Sequence, residues 1–501
     1  MRFEFSKGQI IPIHPNEQHP HFPPGTHRIS QLQFIPQPPL NPDFTPNPYL
    51  QELLAGKQLL LDDINLPLEE IHTHYENGFI TYSKGVEYLG KRPRCSRCRN
   101  KDPGLFASFA CSRCGEACSY CRKCIMMGRV SECTPLIGWS GPPPVFQATN
   151  KILEWDGTLS EGQLVAATRA VEAVRQDTSV LVWAVCGAGK TEVLFPAIEA
   201  AIASGKRACI ATPRTDVVLE LTPRLKQAFP SIKIASLYGG SEDRHVCAQL
   251  TIATTHQLLR FCHAFDTMIL DEVDAFPYTM DESLQYAAER ARKSISSIIY
   301  LTATPSKKWQ DECRSGKRPY VTIPARFHRH PLPVPEFAWC GNWQKQLLKK
   351  QLPKECGKWI NERLNAGKQA LVFFPHIESM QAALPILKKL HKGIESVHAE
   401  DPDRKEKIQR MRTGETPILL TTTILERGVT IANIDVAVIG AEDRIFTESA
   451  LVQIAGRAGR SARHPTGIVT FFHYGKTNAM VDARKQILAM NREGKARGLL
   501  D

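Results

Sequence analysis

The stretch "VWAVCGAGKTEVLF", Val182 to Phe195, decides the reading of this chain. Ala184, Val185, Cys186, Gly187, Ala188, Gly189, Lys190 and Thr191 follow the spacing of a phosphate-binding loop, with Ala184 in place of the usual first glycine. Gly187 and Gly189 let main-chain N–H groups approach phosphate oxygens. Lys190 would reach the β- and γ-phosphates of ATP, and Thr191 would hold Mg²⁺. An apolar strand before the loop and the helix-forming "TEVLFPAIEAAIA" after it supply the context such a loop needs. Without that context, a glycine-rich turn with no ligand would be the plainer reading.

Two further stretches extend the site. "TMILDEVDAF" is an apolar strand ending in Asp271 and Glu272. Asp271 is placed to meet the Mg²⁺ through water, and Glu272 to orient or deprotonate the attacking water. An acidic strand end by itself is more often a solvated turn; the loop upstream reverses that preference. "LVQIAGRAGRSA" carries Gln453, Arg457 and Arg460. Two arginines on a helix are ordinarily surface charges. Preceded by a glutamine and separated by small residues, they fit arginine fingers that complete a γ-phosphate site.

The 501 residues leave room for about three domains. The apolar runs are strand-sized, well short of the roughly 20 residues a membrane span needs. The start "MRFEFSKGQI" lacks the apolar core of a signal peptide, so a cytoplasmic protein is expected. A net charge of +12 fits a polyanionic partner, nucleic acid or an anionic membrane face. Clustered cysteines in a chain of this kind point to metal rather than disulfides.

Four regions are expected. Residues 1–90 begin proline-rich and extended and turn helical from Tyr49 onward; 91–140 are cysteine-rich and basic. Residues 150–325 and 338–501 alternate short apolar runs with helical stretches, separated by the proline-rich break "RFHRHPLPVPEF", Arg326 to Phe337. Strands are read at "VLVWAV", "RACIAT", "LTIATT", "TMILDE", "SIIYLTAT", "QALVFFP", "ILLTTT", "VAVIGAE" and "GIVTFFHY". Such runs predict buried parallel strands joined by helical crossovers, an α/β fold.

In order along the chain, "AVCGAGKT", "DEVD", "LTATPS" and "QIAGRAGR" resemble the motifs of superfamily 2 helicases and translocases. The resemblance implies two RecA-like lobes with ATP in the cleft between them. It further implies that Gln163 reads adenine and that Thr302 and Thr304 couple hydrolysis to movement. Thr212, Pro213, Arg214, Thr254 and Thr255 would lie along a strand in the first lobe, and Thr421, Thr422 and Gly428 in the second. Hydroxyls and amides of that kind position phosphates without reading sequence. For any single threonine, a strand-end or N-cap residue is the plainer role.

Between Cys95 and Cys133 stand three CxxC pairs, Cys95/Cys98, Cys111/Cys114 and Cys121/Cys124, with Cys118 and Cys133 besides. Two such pairs suffice for a tetrahedral Zn²⁺ site. Spacing alone favours Cys95/Cys98 with Cys111/Cys114, leaving Cys118, Cys121, Cys124 and Cys133 for a second site. Residues 91–130 carry ten Lys or Arg against two acidic residues, a charge suited to gripping phosphates. This basic cysteine segment ahead of a two-lobe motor, with "YCRKCIMMGRV" and "DEVDAFP", is similar to the ComFA family, the competence-associated DNA translocases of transformable Gram-positive bacteria. That resemblance selects Cys95, Cys98, Cys121 and Cys124 as the Zn²⁺ ligands, with Cys111 and Cys114 as an additional pair.

The family resemblance implies a motor that hydrolyses ATP to pull transforming single-stranded DNA into the cytoplasm. It would work peripherally at the inner membrane face, beside the DNA channel and a ComFC-like phosphoribosyltransferase-type partner, with an oligomer allowed. A primosome-type helicase resembling PriA is an alternative, although that family's cysteine knuckles interrupt the motor, whereas these precede Gly187. An RNA helicase is disfavoured by DEVD and by the missing histidine of the last motif. A DNA-binding adaptor that clamps with ATP and does not translocate is the reading from another class.

Overall fold

Short apolar runs become buried parallel strands throughout the computed structural model, which describes residues 1–6, 8–13, 22–146, 152–427 and 431–501. Among the described residues there are two large sheets, of seven and six strands. Leu250–Thr254, Ile434–Ile439 and Val469–His473 are buried at every position, as strands covered on both faces require. The architecture is that of two RecA-like lobes, α/β with parallel sheets flanked by helices. By its internal contacts the chain divides into two compact units. One is Met1–Asp156, Ala170–Ser179 and Phe195–Tyr300; the other is Gly157–Arg169, Val180–Leu194 and Leu301–Asp501.

In the first unit, parallel strands run in the order Ile234–Leu237, Leu250–Thr254, Ala208–Thr212, Phe265–Leu270, then the strand that begins at Arg292. The N-terminal region is more ordered than its prolines predict. Arg2–Ser6 and Gln9–Ile13 pair as an antiparallel hairpin; the proline-containing 14–21 lie outside the described residues. Among its described residues α-helix is confined to Pro48–Leu54 and Leu68–Glu76. The first of these is followed by Gly56 at φ +67°, where a Cβ would come within 2.6 Å of the Ala264 Cβ. Beyond it, Gln58–Leu60 finds a ladder partner in Leu136–Trp139, which also pairs with Ile80–Ser83. Tertiary pairing thus overrides the helical spacing of "QLLLDDI". Phe3, Ile10, Leu53, Ile71, Tyr75 and Ile137 fill the core of this region. Because Ser83 faces Leu136, the cysteine-rich segment is an excursion from one small sheet.

In the second unit, Ser179–Ala184 runs parallel to Tyr320–Ile323. The six-stranded sheet has the order Glu336–Trp339, Val469–His473, Ile434–Ile439, Gln369–Phe373, Ile418–Thr421, Glu395–Val397. Its core includes Trp343, Trp359, Phe374 and Phe472. Buried against it, Arg363 Nε donates to Asp435 Oδ2 at 3.0 Å and the guanidinium stacks 4.0 Å from the Trp359 ring centroid. The other Asp435 oxygen accepts from Ile468 N–H at 2.9 Å. Glu362 Oε2 also pairs with Arg363 at 3.0 Å, so Asp435→Ala removes one of two carboxylates and is expected to cost about 1–3 kcal/mol, seen as a lower urea midpoint.

Candidate nucleotide site and cysteine clusters

The loop from Ala184 to Gly189 turns between the strand Ser179–Ala184 and the helix Lys190–Ala203. Gly187 and Gly189 stand at φ +83° and +70°, left-handed values that only glycine takes without strain. A Cβ on Gly189 would also collide with the Gln163 amide. Ala184, Val185, Cys186 and Ala188 are buried, while Gly187, Gly189, Lys190 and Thr191 remain partly accessible. The accessible members are those expected to meet a triphosphate, at a helix N-terminus whose free N–H groups favour anions. Gln163 is buried on the helix Glu161–Arg175. It donates to the Ala188 carbonyl at 2.8 Å and accepts from Ser160 N–H at 2.8 Å. It therefore ties its own helix start to the loop.

Within the same unit, residues of the last motif meet this loop. Cys186 Sγ donates to Gln453 Oε1 at 3.0 Å, both side chains being buried. Gly456 packs so closely that a Cβ there would lie 2.5 Å from that of Cys186. This explains the small residues in "QIAGRAGR". The two arginines are unequal. Arg457 is 3 % exposed and donates twice to the Glu426 carbonyl, at 2.9 and 2.6 Å. That geometry suits a strut for the loop before it. Arg460 is half-buried, its Nε on the Gly456 carbonyl at 3.0 Å, and is the more accessible candidate finger. Thr302 accepts from Thr304 N–H at 2.9 Å, and the Thr304 hydroxyl meets that of Ser449 at 2.7 Å. Ser449 and Arg326 were not singled out from the sequence. Arg326 lay in the segment read as a break, and it is buried beside Gly187.

In the first unit, Asp271 and Glu272 follow the strand Phe265–Leu270. Asp271 Oδ1 accepts from Glu272 N–H at 2.9 Å. Glu272 sits at φ +53°, a strained value for a residue with a Cβ and one that clusters at functional sites. Of the residues expected along a strand, Thr212, Thr254 and Thr255 are buried, leaving Pro213 and Arg214 half-accessible. Thr421 and Thr422 of the second unit are buried as well, with the Thr421 hydroxyl donating to the Thr422 carbonyl at 3.3 Å. These hydroxyls are packed at or beside strand ends. Gly428 lies outside the described residues.

The cysteines form two groups of four: Cys95, Cys98, Cys121 and Cys124, and Cys111, Cys114, Cys118 and Cys133. All eight are buried, and within each group the sulfurs lie within 4.8 Å of one another. The separations Cys95–Cys124 and Cys98–Cys121 are 3.7 Å, and Cys111–Cys133 is 3.6 Å. Four thiolates about 2.3 Å from one tetrahedral Zn²⁺ stand about 3.8 Å apart, so both groups fit that ion. Neither group matches the sets that sequence spacing favours. The antiparallel hairpin of Phe106–Cys111 with Glu116–Cys121 sets Phe106 opposite Cys121 and Cys111 opposite Glu116. Cys111 and Cys121 thus stand at opposite ends of the hairpin, about 17 Å apart by strand rise. Arg97, 2 % exposed, donates to Cys124 Sγ at 3.2 Å and to the Cys124 and Met127 carbonyls at 2.6 and 2.7 Å. Its buried charge suits a thiolate-rich neighbour. The excursion also touches the helix that follows the DEVD segment in the same unit: Lys123 pairs with Asp281 at 3.1 Å, and Arg99 lies 5.2 Å from the Tyr286 ring centroid.

Known proteins match this arrangement along the chain. Residues 43–138 match the competence protein ComFA N-terminal domain, 166–312 the DEAD/DEAH box helicase family and 349–462 the helicase conserved C-terminal domain. The chain is 49% identical over 442 residues to competence protein ComFA of Bacillus subtilis, covering 88% of this chain and 95% of that protein. It is 39% identical over 376 residues to competence protein ComFA of Streptococcus pneumoniae, covering 75% and 86%. The helicase domains make it an ATP-hydrolysing, helicase-like enzyme of superfamily 2, a type that implies Mg²⁺ and nucleic acid. With both relatives covered over most of their length, the chain belongs to the ComFA family of competence proteins.

Proposed function

We propose that this ATPase is a single-stranded DNA translocase that draws transforming DNA into the cytoplasm. The observation that carries the reading is the Cys186–Gln453 bond, which joins the phosphate loop to the motif bearing Arg457 and Arg460. A nucleotide site completed by residues so far apart in sequence closes and opens as the nucleotide changes, which suits a motor better than a kinase. In this reading Lys190 and Thr191 hold the phosphates and Mg²⁺. Asp271 would help to hold the ion, Glu272 would activate the attacking water, and Arg460 would stabilise charge on the γ-phosphate. Thr302 and Thr304 pass closure on toward Ser449.

Each cysteine quartet would hold one Zn²⁺, which supplies cross-linking rather than chemistry. The basic excursion around them, tied to Asp281 beyond the DEVD strand, would supply sequence-independent grip on phosphates. No helix among the described residues is long and apolar enough to cross a membrane. Work beside the DNA channel and a ComFC-like partner would therefore rest on peripheral contact. The test is ATP hydrolysis with no nucleic acid, single-stranded DNA, duplex DNA or RNA. Single-stranded DNA is expected to stimulate most. Stimulation by RNA alone, or by none of them, would overturn the proposal.

A further inference from the structure

Arg326 follows closely on the strand Tyr320–Ile323, which pairs with the strand leading into the phosphate loop. Its neighbour Phe327 donates from N–H to the Gly187 carbonyl at 3.1 Å, so this segment is fastened to the loop. The Arg326 side chain is 1 % exposed. Its Cγ, Cδ and Nε lie 3.6, 3.7 and 3.8 Å from where a Cβ on Gly187 would stand. One end nitrogen donates to the Gly459 carbonyl and the other to the Ala458 carbonyl at 2.8 Å. Nε, the nitrogen nearest Gly187, has no partner among the described residues.

The charge around this group is unusual. No carboxylate pairs with Arg326 among the described residues, and the nearby Arg460 guanidinium repels it. Burial first, and Arg460 second, push its pKa down to about 10. A buried guanidinium facing two carbonyls and another cation is costly unless an anion arrives. The neighbouring loop has the geometry that receives one. A second guanidinium beside the finger-bearing turn places the missing negative charge on the γ-phosphate side.

We infer that Arg326 is a second guanidinium of the terminal-phosphate site, beside Arg460, neutralised by bound nucleoside triphosphate, and that its carbonyl bonds hold the turn presenting Arg460. It acts as a sensor: with triphosphate bound the charge is balanced and the turn held, and with diphosphate the imbalance returns. The inference rests on Lys190 and its loop binding ATP as proposed above.

The experiment compares the full-length chain with Arg326→Gln, Arg326→Lys and Lys190→Ala. It measures affinity for a non-hydrolysable ATP analogue and for ADP, together with Tm without nucleotide. Arg326→Gln is expected to weaken the analogue about tenfold and ADP less than threefold, and to leave the nucleotide-free Tm unchanged or raised. Arg326→Lys keeps a charge at this place and should recover part of the preference for triphosphate. Equal losses for analogue and ADP in a folded Arg326→Lys, or a lowered nucleotide-free Tm with an unchanged affinity ratio in Arg326→Gln, would mark a structural role and overturn the inference. Should Arg326→Gln fail to fold, the Arg326→Lys ratio decides alone. Absence of binding by the wild-type chain, or binding undiminished in Lys190→Ala, would instead bring down the loop assignment beneath it.

Discussion

Lys190→Ala is expected to lower kcat for ATP hydrolysis about 10²- to 10³-fold, with or without nucleic acid. Lys190 opens the helix Lys190–Ala203, half-buried, directly after Gly189 in its left-handed turn. From there its ammonium would meet charge that grows on the β- and γ-oxygens as the bond breaks. Loss of an interaction held equally in ground and transition states would raise KM only; loss of one that strengthens during reaction lowers kcat. Because the side chain fills no core, the Tm of the nucleotide-free chain should stay within about 2 °C of wild type. Single-turnover hydrolysis and a thermal scan check both halves. A variant that still turns over at more than a tenth of the wild-type rate would show that another group carries the phosphate charge.

The second large effect concerns metal. Metal analysis of the purified chain is expected to find two Zn²⁺ per molecule. Cys98→Ser and Cys118→Ser should each reduce this to one, and the double variant to none. Structural Zn²⁺ contributes apparent folding energies of about 10–16 kcal/mol in small zinc modules. Strong chelators should accordingly unfold the excursion between Ser83 and Leu136, detected as new proteolytic cleavage confined to that segment. The RecA-like sheets, built on apolar cores such as that around Trp359 and Phe374, should keep their secondary structure. A ratio of one Zn²⁺, lost in Cys98→Ser alone, would leave Cys111, Cys114, Cys118 and Cys133 as reduced thiols. A ratio of one that survives Cys98→Ser would do the reverse.

The central strands were legible because their signal is local. Runs such as "RACIAT", "LTIATT" and "GIVTFFHY" are apolar on both faces and match Ala208–Thr212, Leu250–Thr254 and Val469–His473. In the two large sheets, the strands that sequence reading missed are Ile234–Leu237, Tyr320–Ile323, Glu336–Trp339 and Glu395–Val397. Each has a single strand neighbour and three or four residues. An edge strand is short, so its run never stands out from its surroundings. The phosphate loop was legible because glycine spacing encodes main-chain geometry. The burial of Thr212 and Thr421 was not, since depth in a sheet depends on what covers a strand end. Arg326 carried no signal either: in sequence it is one basic residue at the start of a proline-rich break, and only the packed chain reveals it buried beside Gly187.

Ser83 and Leu136 stand opposite one another in an antiparallel ladder, and everything between them leaves and returns at that facing pair. Length added or removed inside the excursion would therefore not shift the register of Ile80–Ser83 against Leu136–Trp139. The small sheet works as a socket, and the metal-binding segment as a cassette whose two ends are fixed at one facing pair, so that the ladder's alignment does not depend on the cassette's length.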